Sequence, residues 1–255
     1  MEYGDWRRRS PKKWHHRVVQ LAYSEVAPSA PLARFVKCFW TLRGHAGEAA
    51  TVERILPDGA FELVFHFGDP FTSNGEVQPV AMLVGQIRRP TLVTPSRHAD
   101  VLGVRFHVGG ASAFFRAPMS EFRDHILPLG DEIEGRSIAA VERFLLRRLQ
   151  PSDRWDTARE AIALIARHHG RLRSRELTRI TGRTERTIER AFSECVGMTP
   201  KTFSRLTRFH AHLANPREDH GYFDEAHLIH EFNAFAGVSP LQFQRETHAL
   251  SDAFL

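Results

Sequence analysis

Between residues 35 and 108, hydrophobic positions recur with a period of two, which is typical of β-strands. Large apolar side chains alternate with smaller or polar ones over residues 61–67, and residues 102–108 repeat the pattern. Turn-forming clusters at residues 57–59 and 74–75 separate the short apolar runs. This part of the chain is therefore predicted to be a β-rich domain of the sandwich or barrel type.

The periodicity becomes helical after Gly110. The apolar residues of one predicted helix share a face at Ile138, Val141, Leu145 and Leu149. The fold class is predicted to be α+β, with a β-rich sandwich or barrel-like N-terminal domain over residues 23–150 and an all-α domain over 151–255. Residues 1–22 show neither period and are predicted to be a basic flexible arm.

The helical domain contains an internal repeat at an offset of forty positions. Five residues of the first unit recur in the second, as the pairs Phe192/Phe232, Gly197/Gly237, Pro200/Pro240, Phe203/Phe243 and Arg205/Arg245. Thr199 and Ser239 precede the two prolines, and such a hydroxyl caps a helix whose first position tolerates proline. Each unit is therefore predicted to end in a capped helix.

The first unit predicts a helix-turn-helix. Ser174 is expected to cap the first helix, Gly182 to form the turn, and Thr184 to cap the second helix. At about 100° per residue, the apolar residues of the second helix fall opposite a polar face formed by Arg183, Arg186, Thr187 and Arg190. Such a face can read a major groove, because arginine pairs bidentately with guanine and with phosphate. The candidate phosphate contacts around this helix are Arg173, Arg175, Lys201, Arg205 and Arg208.

The charge is concentrated in the same region. The chain has a net charge of +5, but residues 171–208 carry ten Lys or Arg against four Glu, and residues 209–255 carry two Arg against seven acids. A basic segment of this kind predicts a polyanionic partner, here double-stranded DNA. Two alternatives are a solvated helical face and a protein-interaction module whose basic face meets an acidic partner.

Other classes of protein have less support. No run approaches the roughly 18 consecutive apolar residues of a membrane span. The two cysteines, Cys38 and Cys195, form neither a disulfide framework nor a zinc motif, so both are expected to be buried thiols in a cytoplasmic protein. No catalytic motif or phosphate loop is present, and the chain is expected to be neither an enzyme nor dependent on a cofactor or metal.

Two features of the β-rich region have alternative interpretations. His66, His98 and His107 could form the metal site of a cupin-like metalloenzyme, although His66 and His107 alternate with apolar residues and are expected to face away from the core. Four phenylalanines could line a ligand pocket, although an aromatic core is favoured; these are Phe61, Phe65, Phe67 and Phe106. Asp58 and Gly59 are expected to form a turn.

The C-terminal stretches ELTRITGRTERTIERAFSECVGMTPKTFSRLTRFH and GYFDEAHLIHEFNAFAGVSPLQFQRE resemble the DNA-binding region of AraC/XylS transcriptional regulators. The stretches LPDGAFELVFHFG and GVRFHVGGASAFFRAPMSEF are similar to a poorly characterised sensor-like domain of one AraC subgroup. The resemblance implies recognition helices at Thr184 to Val196 and Asp224 to Ala236, with a linker helix from Pro200 to about Leu213. It also implies a small-molecule effector at the N-terminal domain, and homodimerisation and contact with RNA polymerase as further expectations.

The second unit departs from the family pattern. The stretch ANPREDHG stands where a supporting helix is expected, so this unit is predicted to be truncated. Arg183, Arg186 and Arg190 are replaced at the repeat offset by Phe223, Ala226 and His230. The first unit is therefore expected to carry most of the DNA affinity. Candidate contacts in the second unit are His227, His230 and Asn233.

Overall fold

A computed structural model describes residues 19–46, 52–130, 133 and 135–245. The predicted α+β fold class is confirmed, since two antiparallel sheets precede a helical region. Residues 1–18 of the predicted basic arm lie outside the described residues, and residues 19–22 begin the first strand.

The described residues form ten strands and seven α-helices. The strands are β1 Val19–Val26, β2 Val36–Ala46, β3 Glu53–Ile55, β4 Glu62–His66, β5 Thr72–Ser73, β6 Glu76–Val77, β7 Ala81–Val84, β8 Thr91–Thr94, β9 His98–Phe106 and β10 Ile126–Pro128. The helices are α1 Ile138–Arg148, α2 Asp153–Arg167, α3 Ser174–Thr181, α4 Glu185–Cys195, α5 Pro200–Ala214, α6 Glu225–Phe235 and α7 Pro240–Arg245. Two short 3₁₀ helices, Gly110–Ala113 and Met119–Phe122, precede β10. None of the described helices is both long and apolar enough to cross a membrane.

The larger sheet has the order β1-β2-β9-β4-β7-β10, and the smaller sheet has the order β3-β8-β5-β6. On one face of the larger sheet, the buried Phe61, Phe65 and Phe106 pack with side chains of α1, which confirms the predicted aromatic core. Phe67 is partly buried and packs against the same core. The smaller sheet covers the opposite face, where Val64 belongs to a second apolar cluster.

The structure corrects the expectation that His66 faces away from the core. Its side chain does point away from the aromatic core, but the residue is only 2% exposed and its ring lies 5.0 Å from that of Phe71. The smaller sheet covers this face, so alternation along β4 distinguishes two buried sides. His107, just after β9, is exposed as expected.

Helix α2 contributes to the cores of both the β-rich and the helical regions. Trp155, near its N-terminus, packs in the aromatic core, whereas Ala158 and Ile165 pack among the later helices. Leu56, from the loop before β4, also packs in the helical core. The two regions are therefore in close contact, and the domain boundary near residue 151 stays a prediction.

The first helix-turn-helix consists of α3 and α4. Gly182 ends α3 with a φ of +63°, a left-handed conformation that glycine adopts without steric cost. The hydroxyl of Thr184 accepts a hydrogen bond from the amide of Thr187 and caps α4, as predicted. Ser174, the expected cap, is instead the first residue of α3; the capping position is Arg173, whose amide donates a hydrogen bond to the Glu176 carboxylate at 2.9 Å.

The second unit lacks its first helix. No helix is formed over residues 215–224, all of which are described, and α6 begins directly after its capping residue Asp224. In place of a helix, the buried His220 shares a hydrogen bond of 2.8 Å with the Asn215 carbonyl and packs edge-on against His212. The predicted truncation is therefore confirmed.

Candidate functional site

The polar face of α4 is open to solvent. Arg183, Arg186, Thr187 and Arg190 are exposed, whereas the opposite face of the helix is buried through residues such as Ile188 and Phe192. Neither Arg183 nor Arg186 forms an ion pair with a described carboxylate. Two guanidinium groups are therefore available to an external anion.

The other two predicted residues of this face have partners within the protein. The Arg190 Nε donates to Glu194 Oε1 at 3.0 Å, one helical turn further on. Glu194 also pairs with Arg154 of α2. The Thr187 hydroxyl lies 2.8 Å from the Thr184 hydroxyl. Contact with DNA would require Arg190 to exchange Glu194 for another acceptor.

The five predicted phosphate contacts divide into two groups. Arg173, Arg175 and Lys201 are exposed. Arg205 instead makes a bidentate ion pair with Glu231, with Nη2 2.8 Å from Oε1 and Nε 3.3 Å from Oε2. The guanidinium of Arg208 lies over the ring of Tyr222, at 5.8 Å from its centroid. Arg205 and Arg208 therefore connect α5 to α6 and the preceding loop, and their contact with phosphate stays a prediction.

The exposed face of α6 differs chemically from that of α4. Phe223 is 92% exposed just before the helix, and Ala226, His230 and Asn233 are exposed along it. His227 is half-buried, and its Nδ1 accepts a hydrogen bond from the Phe223 amide at 3.3 Å. This helix presents no arginine to solvent.

The histidines considered as a metal site are not brought together. His66 shares a hydrogen bond of 2.9 Å with Gln78, whereas the ring of His98 lies 5.4 Å from that of His45. His107 lies beyond the other end of β9. Across the described ranges, no three His, Cys, Asp or Glu residues are grouped so as to hold a metal ion. Cys38 and Cys195 are buried free thiols, as expected.

A cavity of about 230 Å³ lies between the two sheets. It occupies the face of β4 opposite the aromatic core. Most of its wall is apolar, with contributions from Trp40, Leu42, Ile55, Val64, Phe71, Met82, Val84, Val93, Val101 and Ile126. Two groups of polar residues in the wall are joined by contacts, namely Asp58, Glu62 and Arg105 by ion pairs and His66 with Gln78 by a hydrogen bond. The other polar lining residues are Ser73, Asn74, Thr91, Asp124 and His125.

The charged group in the cavity wall is formed by paired strands. The register of β4 with β9 places Glu62 opposite Arg105, whose Nη1 lies 3.0 Å from Glu62 Oε1. Arg105 also pairs with Asp58 from the loop before β4. Burial raises the pKa of Glu62 to about 7, although Arg105 acts in the opposite direction. The group thus contains two carboxyls and a single guanidinium.

Residues 24–128 match the model of one family, Domain of unknown function (DUF6597). The match covers both sheets except the start of β1, and it provides no family for the chain as a whole. No curated protein and no solved structure matches the chain. The cavity and its charged group therefore lie within the DUF6597 domain.

The loop of residues 56–60 connects the cavity of the DUF6597 domain to the helical region. The Pro57 carbonyl lies 2.6 Å from His210 Nε2 of α5, and burial lowers the pKa of this histidine, which favours the neutral form. Gly59 also lies close to α5, since a Cβ atom added to it would be 3.5 Å from the Phe203 ring. Because Asp58 in the same loop pairs with Arg105, this loop contacts both the charged group and α5.

The cavity does not follow from the hydrophobic pattern of the sequence. The phenylalanines of residues 61–67 indicate the aromatic core, whereas the cavity is lined by the alternate positions, including Glu62 and His66. One signal was present, namely opposite charges at the polar positions of the two alternating segments, Glu62 and Arg105. Pairing opposite charges across strands is favourable, so this combination indicated neighbouring strands.

Glu62→Gln should remove part of the pH dependence of stability. Because the folded-state pKa of Glu62 is raised from 4.5 to about 7, its contribution to the unfolding free energy is present below about pH 4.5 and is lost as the pH rises through about 7. As the pH rises through this window, the free energy of unfolding of the wild type should therefore fall by at most about 3 kcal/mol relative to that of Glu62→Gln, as measured by urea unfolding. Glu76→Gln, a change at an exposed carboxylate, should show the same fall in stability as the wild type. Equal pH profiles for the wild type and Glu62→Gln would contradict the raised pKa of Glu62.

Proposed function

We propose that the chain is a sequence-specific DNA-binding transcription regulator of the AraC type, in which α4 enters a major groove. The observation that carries the proposal is the exposed arginine face of α4, presented by a helix-turn-helix with a glycine turn. Such a regulator acts by binding and performs no chemical step. The AraC/XylS resemblance of the C-terminal motifs supports the same function.

The orientation of α4 supports this role. Its C-terminal end packs on the DUF6597 domain, where the Ser193 hydroxyl donates to the Ser120 hydroxyl at 3.2 Å and Gly197 lies against the backbone of Met119. The N-terminal half, with Arg183 and Arg186, is exposed. Helix-turn-helix proteins reach base edges with the N-terminal residues of their second helix.

The exposed cations would have two functions. Arg183 and Arg186 would contact base edges, which determine sequence preference. Phosphate contacts by the exposed Arg173, Arg175 and Lys201 would position the helix and supply affinity that does not depend on sequence. An exposed basic helix face flanked by further cations meets both requirements.

The function can be tested by selecting duplexes from a random DNA pool with the full chain, followed by fluorescence anisotropy on an enriched and a scrambled duplex. We expect the enriched duplex to bind at least about a thousandfold more tightly. The logarithm of the association constant should fall linearly with the logarithm of salt concentration, with a slope of about −0.9 per phosphate contacted. Equal and weak binding of both duplexes would reject sequence-specific regulation and favour an acidic protein partner for the basic face.

A further inference from the structure

We propose that the cavity of the DUF6597 domain binds a compact apolar molecule that ends in a cationic amine, with the amine at Glu62 and Asp58. The size of the cavity, its apolar wall and the two carboxyl groups that share one guanidinium at its polar end support this ligand class. The binding itself does not depend on the function proposed above, whereas its effect on DNA affinity does.

The size of the cavity limits the ligand to a small molecule. Its volume is about 230 Å³. An apolar protein cavity of about 150 Å³ can hold a single benzene molecule. A ring with a short chain, or an unbranched chain of similar volume, therefore fits.

The wall determines the character of most of the ligand. Both sheets supply apolar side chains, such as Trp40 of β2 and Val93 of β8, and Phe71 adds an aromatic ring from the loop before β5. An apolar ligand body would displace water from this wall, at a gain of about 25 cal/mol for each Å² of apolar surface buried. Most ligand atoms should therefore be carbon.

The charges at the polar end select the terminal group. Arg105 is the one Lys or Arg among the lining residues, and it is shared by Asp58 and Glu62. A third lining carboxylate, Asp124, is already paired with Arg88 at 2.6 Å. Lys37 also acts on Asp58 and Glu62 by its charge, but it does not line the cavity. The two carboxyl groups therefore share one guanidinium in the cavity wall, and a ligand amine would supply a second cation there.

A carboxylate ligand would face the opposite situation. Arg105 is only 7% exposed in its side chain and already bonded to two carboxylates, so a third anion would add repulsion in a poorly hydrated site. Glu62 remains accessible for about a fifth of its side chain and lines the cavity, so its oxygen can accept a hydrogen bond from a ligand. A charge-assisted hydrogen bond of this kind is stronger than a neutral one.

The loop of residues 56–60 would transmit the binding event. An amine that bonds to Asp58 or Glu62 competes with Arg105 and so changes the ion pair that holds Asp58. The same loop contacts α5 through the Pro57 carbonyl and His210. Ligand binding should therefore change DNA affinity, and DNA should change ligand affinity by the same factor.

Isothermal titration of the full chain with matched probes tests the ligand class. The probes are phenethylamine, phenethyl alcohol and phenylacetate, together with hexylamine, hexanol and hexanoate. We expect at least one amine to bind about tenfold or more tightly than its alcohol, and the acid to bind most weakly. Absence of amine binding, or equal affinity for amine and alcohol in both series, would overturn the proposal.

Variants locate the binding in the cavity. Glu62→Gln should reduce the preference for amine over alcohol to about twofold or less, whereas Glu76→Gln, on exposed β6, should leave it unchanged. Val93→Phe fills part of the cavity and should weaken both amine and alcohol binding, which provides a second test if Glu62→Gln does not fold. A preference that survives Glu62→Gln would place the amine elsewhere.

The effect on DNA is measured separately. Anisotropy titrations with the selected duplex, with and without saturating amine, should give different DNA affinities, and titration of the amine into the DNA complex should show the same ratio. If the amine binds without changing DNA affinity, only the proposed transmission through the loop is overturned. A chain that binds the amine and no DNA would overturn the proposed function and leave the ligand class standing.

Discussion

Arg186→Ala should lower the affinity for the selected duplex about 10- to 100-fold, because a bidentate arginine contact to a base contributes about 1–3 kcal/mol. Arg186 is exposed on α4, and no hydrogen bond or ion pair with another described residue holds its guanidinium. Its removal should therefore leave the urea unfolding midpoint unchanged. Anisotropy gives the affinity, and urea unfolding shows that any loss is not caused by misfolding.

Arg147→Ala provides the matched control. Arg147 is an exposed arginine near the end of α1, outside the helix-turn-helix. This variant loses the same charge and should keep the wild-type affinity. The salt dependence adds a distinction, since loss of a phosphate contact lowers the slope by about one and loss of a base contact does not.

Substitutions in both units test the assignment of affinity to the first one. Arg190→Ala should also weaken binding strongly, although Arg190 must first release Glu194, to which it is bonded at 3.0 Å. His230→Ala should have little effect, because α6 has no arginine at the positions that match those of α4. If His230→Ala weakened binding more than Arg186→Ala, the second unit would be the principal reader and the assignment would be wrong.

The helix-turn-helix could be predicted from sequence because its signals are local. Thr184 caps α4 through an amide three residues away, and Gly182 ends α3 through its own backbone conformation. Proline at position 200 likewise marks the start of α5. Such interactions involve residues within one or two helical turns of each other, so the sequence predicts the positions of these caps and helix ends to within one residue.

The cavity could not be predicted, because it depends on contacts between distant segments. The smaller sheet is built from strands of two to four residues, such as β5 and β8, which are too short to show a period. The sheet that these strands form covers the face of β4 on which the buried His66 and the partly exposed Glu62 lie. Alternation indicated two sides of the strand but carried no information about what covers each side.

The same limit applies to Arg205. Its position beside α4 in a basic segment predicted a phosphate contact, but its partner is Glu231, twenty-six positions further along the chain. Glu231 lies in the acidic segment and is 3% exposed in its side chain. Charge counts along a sequence separate the two segments, whereas the fold joins them through this pair.

Arg205→Ala should destabilise the helical region by about 3–5 kcal/mol, because it leaves the Glu231 carboxylate buried without a cation. Arg205 donates hydrogen bonds to both carboxylate oxygens of Glu231, and its guanidinium also lies 5.4 Å from the centroid of the Phe235 ring. The pair therefore holds α5 against α6. Urea unfolding of the full chain measures the loss as a lower midpoint.

A double variant separates this structural role from a role at phosphate. Arg205→Met combined with Glu231→Leu replaces the ion pair by apolar side chains and should recover most of the stability, as such exchanges of buried pairs often do. If Arg205 acts only within the protein, the recovered variant should bind the selected duplex with the wild-type affinity and salt slope. A stable Arg205→Ala variant whose salt slope is lower by about one would instead identify Arg205 as a phosphate contact, and the pair with Glu231 as dispensable for the fold.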